Sequence, residues 1–221
     1  MKRAIVVMII SVGIPCAVSN ADFIGPLPYL SEADSPFNLS AHGAYLENFE
    51  DGLLNTPGVT VNIGAIGLPG PKTDSVDGDD GSIDGFGTEG HEWWVGPSGG
   101  TYIMTFTFDD SILGKFPTHA GLVWTDDRAD VSFEAWDSDG VYLGSIGPFS
   151  LGDNYDGGQT AEDRFFGIVN AGGISQITMT HVGNGMSVDH LQYVVPVPGA
   201  FLLGCLGISI SGWKLRMCKV S

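Results

Sequence analysis

The residues best suited to chemistry are carboxylates. Asp74, Asp77, Asp79, Asp80 and Asp84 fall within eleven residues, interleaved with glycine. Like charges this close repel one another unless water or a cation intervenes. Calcium takes six to eight oxygen ligands and suits such a loop. The spacing is not that of an EF-hand. With Asp77 first, position six is Ser82 instead of glycine, and position twelve is Thr88 instead of a bidentate Glu. Aspartate and glycine are also the ordinary residues of solvated turns. The segment therefore reads either as a calcium loop or as turn chemistry. Asp126, Asp127 and Asp130 form a smaller acidic group.

Other constellations are less productive. Gly96-Pro97-Ser98-Gly99-Gly100 satisfies G-x-S-x-G, but a nucleophile elbow needs a helix after the serine. A strand-like run follows instead, so a glycine-rich hairpin turn is expected. His42, His91, His119, His181 and His190 form no H-x-x-x-H or H-E-x-x-H pair, which argues against zinc. Glu92, Glu134 and Glu162 could serve glycoside hydrolysis only as a pair held about 5–9.5 Å apart, a separation that sequence does not reveal. Trp94 and Trp136 are the aromatic candidates for a ligand. Neighbouring Trp93 and Trp94 must face opposite sides of a strand, and alternation puts Trp136 on an outer face. An exposed indole can stack on a sugar ring, although tryptophan is more often core.

The elements that would position these residues are strands. Thr101 to Phe108 alternates, with Tyr102, Met104, Phe106 and Phe108 on one face. Val131 to Trp136 alternates again, Asp137-Ser138-Asp139-Gly140 supplies a turn, and Val141 to Ile146 returns. Gly121–Trp124, Arg164–Val169, Ile174–Thr180 and Met186–Tyr193 complete the set. In the last, Val188 and Leu191 are out of phase, which predicts a bulge near Asp189. Glycine is abundant, 33 of 221 residues, and helical periodicity is nearly absent. The expectation is an all-β fold, a jelly-roll-like antiparallel β-sandwich, over residues 45–193. Residues 22–44, with their prolines and serines, read as a flexible lead-in.

The two ends differ from the middle. Met1-Lys2-Arg3, an apolar run and small residues near Ala17, Ser19 and Ala21 have the pattern of a secretory signal over residues 1–21. All 26 acidic residues lie between Asp22 and Asp189, against four basic ones, a net charge of −22 over that span. Such a surface repels phosphate backbones and argues against nucleic acid as a partner. Cys16, Cys205 and Cys218 all lie outside it, so no disulfide framework is available there. Residues 194–221 carry an apolar stretch from Ala200 to Trp213, then Lys214, Arg216 and Lys219. That order predicts a transmembrane helix with its basic end in the cytoplasm.

Val195-Pro196-Val197-Pro198-Gly199, the apolar segment and the basic residues Lys214 and Arg216 resemble the PEP-CTERM sorting signal. The resemblance covers the last 28 residues and departs at Val197, where the family usually has Glu. It implies export, membrane anchoring and processing by an exosortase-type membrane protease near the signature. Phe49-Glu50-Asp51, Val131 to Gly144 and Val188 to Tyr193 resemble secreted ectodomains that are similar to galactose-binding-like jelly rolls. That resemblance implies a structural calcium between the opening and closing strands, where Glu50 and Asp189 stand.

Together these readings lead to the expectation of a membrane-anchored or surface-released protein, not an enzyme, that binds extracellular polysaccharide. A structural envelope or matrix protein without a small ligand is the alternative. A secreted hydrolase is a third reading, with no motif in the right context.

Overall fold

Alternating apolar residues require sheets with one wet face, and the computed structural model contains such a sheet packed on a second one. It describes residues 21–67, 76, 90–96, 99–125, 130–151, 163–183 and 185–196. The strands, in chain order, are β1 (Asp22–Pro28), β2 (Ala44–Glu47), β3 (Val59–Val61), β4 (Ala65–Gly67), β5 (Glu92–Val95) and β6 (Gly100–Phe108). After the one-turn helix α1 (Asp110–Leu113) come β7 (His119–Thr125), β8 (Asp130–Asp137), β9 (Tyr142–Ser150), β10 (Arg164–Val169), β11 (Ile174–Gly183) and β12 (Met186–Val194).

They form two antiparallel sheets. A five-stranded sheet runs β3-β6-β11-β8-β9, and a seven-stranded sheet runs β1-β10-β7-β12-β5-β4 with β2 also beside β12. Between them lies one apolar cluster. The five-stranded sheet contributes Met104, Phe106, Phe133, Ile177 and Met179; the other contributes Leu122, Trp124, Phe166, Ile168 and Val188. The seven strand segments read from the sequence are all present. On β6 the inward residues are those expected, with Met104, Phe106 and Phe108 buried while Thr101, Ile103 and Thr107 are exposed. The turn after β8 closes as its residues suggest, with the Asp137 carboxylate accepting from the Asp139 and Val141 N–H groups at 2.9 and 2.8 Å.

The seven-stranded sheet is buried on both faces. Its strands β7, β10 and β12 are almost wholly buried along their length instead of alternating. The reason is a second cluster on its outer side, where Val123 and Phe165 meet Tyr29, Phe37 and Val76. Residues 22–44 therefore depart from the expected flexible lead-in. Asp22–Pro28 pairs with β10 as an edge strand, Phe23 packs edge-on against Phe133, and Tyr29 and Phe37 cover the sheet. Pro26 and Pro28 mark a break in most sequences, but an edge strand leaves one side of N–H groups unpaired and tolerates proline.

The bulge expected near Asp189 is present. The register of β12 against β7 shifts between Asp189 and Gln192, and His190 has φ 44°. Before the bulge β12 pairs with β5; after it, with β2. The kink is thus where one strand changes neighbours. The Gly96–Gly100 stretch is not a hairpin turn, since it carries the chain from β5 in one sheet to β6 in the other. Val194 closes β12, and Val195, expected within the sorting tail, is 8% exposed and packs in the main cluster.

Candidate functional site

Two places bring sequence-selected residues into defined surroundings. The first is the β12 bulge. Asp189 is fully buried. Its Oδ2 accepts from the Val76 N–H at 2.9 Å and its Oδ1 from the His190 N–H at 2.6 Å. The His190 Nδ1 lies 3.3 Å from the same Oδ1, an ion-pair distance. Burial disfavours the His190 imidazolium, but Asp189, with Glu32 and Glu50 farther off, outweighs that cost and leaves the histidine above its ordinary value. Beside this pair, Gln192 accepts from the Ser35 hydroxyl at 2.5 Å and donates to the Tyr29 hydroxyl at 2.7 Å. Tyr29 is raised by desolvation. These contacts fasten the N-terminal cover to the bulge.

Glu50 is held differently. Its Oε1 accepts from the His91 N–H at 3.0 Å, and its Oε2 is 3.9 Å from His91 Nδ1. The structure thus gives Glu50 and Asp189 separate partners. Among the described residues no group of three or more His, Cys, Asp or Glu is placed to hold a metal ion. Asp74, Asp77, Asp79, Asp80 and Asp84 lie outside the described residues, as do Asp126 and Asp127. Val76 is described, 2% exposed, and its N–H ends on Asp189. Val76, within the acidic segment, is therefore tied to Asp189, and His91, just before β5, to Glu50.

Glu47 escaped the sequence reading. This buried carboxylate accepts from the N–H groups of Phe49, Asn55 and Thr56 at 3.1, 2.8 and 2.9 Å. It shapes the loop that carries Glu50 and holds Phe49 at φ 60°. The signal available was a carboxylate followed by the turn residues Asn55-Thr56-Pro57-Gly58, in which the Asn55 and Thr56 N–H groups need acceptors.

The second place is the outer face of the five-stranded sheet. Val131, Phe133 and Ala135 are buried and Trp136 is partly exposed, as alternation requires. Its ring lies 5.4 Å from that of Tyr142 at a steep angle, and Tyr142 is 50% exposed. Tyr142 was legible only through the hairpin register, which sets it opposite Trp136. Trp94 is not part of this surface. Trp93 and Val95 pack toward the core, so Trp94 faces the outer side of the seven-stranded sheet. The two tryptophans stand on opposite sides of the molecule and cannot form one row. Ser98 lies outside the described residues, and the strand β6 follows it where a nucleophile elbow needs a helix.

The class defined by fold and geometry is an all-β, antiparallel β-sandwich with an outward aromatic pair. No family model matches the chain, and no curated protein matches it. Among solved structures, the enzymatically active domain of tailspike protein 4 from bacteriophage CBA120 is similar over 78% of this chain and 22% of that one. The identity is 15% and the TM-score 0.32, a likeness that carries no argument about activity. Among the described residues no helix is long and apolar enough to cross a membrane; residues 197–221, with Val197, Pro198, Gly199, Lys214 and Arg216, lie outside them.

Proposed function

We propose that the chain is an exported, surface-held interaction module without catalytic function, and that its β-sandwich binds extracellular polysaccharide. The observation that carries this reading is the Trp136–Tyr142 pair on a solvent-facing sheet. An aromatic face beside polar side chains is suited to the alternating CH and OH faces of a sugar. Export and anchoring rest on the sequence alone: the basic and apolar start, and the resemblance of residues 194–221 to a PEP-CTERM signal read by an exosortase-type protease. The jelly-roll kinship belongs to the same reading. A structural calcium does too, with Glu50, Asp189 and the carboxylates of Asp74, Asp77, Asp79, Asp80 and Asp84 as its ligand set. Its support is that Val76, within the acidic segment, donates to Asp189, and that His91, beyond the segment, donates to Glu50.

The test is binding of the full-length chain to a panel of polysaccharides, with calcium and again with chelator. Saturable binding that Trp136→Ala weakens is the expected result. A folded chain that binds nothing across the panel would turn the assignment to a structural envelope protein. Loss of binding in chelator with Trp136 intact would place the calcium near the ligand instead of at the bulge.

A further inference from the structure

We infer that the ligand is a neutral, extended glycan strand lying on the outer face of the five-stranded sheet, an assignment that rests on the polysaccharide reading above. The strand registers place Thr60, Thr107, Gln176, Trp136 and Tyr142 in one row across all five strands. The next row holds Thr105, Thr178, Glu134 and Ser145. Beyond it stand Ile103, Thr180 and Ser132, then Thr101 and Val182. Five strands about 4.8 Å apart make a platform about 19 Å across, longer than any single sugar ring.

Charge selects the ligand class. The span Asp22–Asp189 carries −22, yet these rows include one charged side chain, Glu134, with Asp130 at the corner of the sheet. Recognition of carboxylate or sulfate groups calls for Arg or Lys. The described basic side chains are Lys115, between α1 and β7, and Arg164, on the other sheet. A polyanion would meet the repulsive field of that span, and among the described residues no cation stands on this face to offset it. A neutral chain meets neither penalty. It finds hydroxyl and amide partners in Thr60, Thr107, Ser145 and Gln176, while Thr178 is buried with its hydroxyl on Thr105, and it finds exposed apolar surface at two edges of the face. Tyr142 is 50% exposed at one end, and Ile103 and Val182 are 51% and 56% exposed at the other.

The experiment titrates the full-length chain in detergent with cellohexaose and soluble xylan as neutral probes and polygalacturonate as the charged one. The variants are Trp136→Ala and Thr107→Glu, with Ile112→Ala on α1 as control and thermal melting to show that each folds. Expected are binding of a neutral probe, weakening by roughly 10-fold or more in both face variants, an unchanged control, and no binding of polygalacturonate. Neutral binding that both face variants leave intact, or binding of polygalacturonate alone, overturns this assignment while the polysaccharide reading stands. No binding of any glycan by a folded chain overturns both. A dimer that forms with concentration and is abolished by Thr107→Glu also overturns it, since the face would then belong to a second copy of the chain.

Discussion

Asp189→Ala tests the bulge most directly. The side chain is fully buried, and its removal leaves the Val76 and His190 N–H groups without their acceptor. It also strips the His190 imidazolium of its counter-charge. Breaking a buried pair by removing one partner costs about 3–5 kcal/mol. The cost depends on pH, and its sign follows from the histidine. The folded His190 lies above its ordinary value of 6.5, so its pairing stabilises fully below that value. The contribution is lost as pH rises through the higher folded value. Asp189→Ala is therefore expected to cost most near pH 6 and less near pH 9, where only the N–H acceptors are lost. Urea unfolding of wild type and variant at the two pH values, at one ionic strength and in chelator so that no cation competes with His190 for Asp189, measures the difference. His190→Gln supplies the control, because it removes the histidine's own titration. A cost below about 1 kcal/mol, or one equal at both pH values, would refute the account of the bulge as a charge-assisted clamp.

Three other outcomes follow from the same geometry. Glu47→Gln retains one acceptor oxygen but loses the charge shared by three N–H donors, and is expected to cost about 2 kcal/mol in chemical denaturation. Gly121→Ala places a Cβ against the Phe165 ring and the Phe166 carbonyl, so overpacking is expected to cost about 1–3 kcal/mol, read as a lower melting temperature. Deleting residues 197–221 is expected to release a stably folded protein from the membrane fraction. Deleting residues 194–221 also removes Val194 and the buried Val195, and a lower melting temperature is expected for that shorter chain.

Legibility followed burial. The five-stranded sheet has one wet face, so β6 and β8 alternate in sequence and their phase could be read, Trp136 included. The bulge in β12 also showed as a slip of phase. The seven-stranded sheet is covered on both sides, and a strand buried on both faces carries no alternation to say which residues point where. That is why the cover formed by Tyr29 and Phe37 was missed and its segment read as a loose leader. Sheet order was equally hidden. No local signal tells that β5 and β6 belong to different sheets, so Gly96–Gly100 was read as a hairpin and Trp94 was grouped with Trp136. Glu47 was missed because its partners are backbone N–H groups eight and nine residues onward.

The distribution of polar groups separates the two candidate places by role. Around the bulge, Asp189 and Gln192 on β12 bond Val76, Ser35 and Tyr29, joining the acidic segment and the N-terminal cover to that strand, while Glu47 on β2 holds the loop that follows it. A span without cysteine gains its cross-links there by hydrogen bonds instead of disulfides. The outer face of the other sheet has the opposite character. The Thr105 and Thr178 hydroxyls pair at 2.8 Å, and around them Thr101, Ile103, Thr107, Tyr142 and Val182 remain exposed. A domain that covers one sheet on both sides, while the described rows on the other sheet's outer face hold exposed residues and the single carboxylate Glu134, with Asp130 at the corner, has a scaffold side and a contact side. Substitutions at the bulge should therefore shift stability first, whereas Trp136→Ala and Thr107→Glu should change binding in a chain that melts like the wild type.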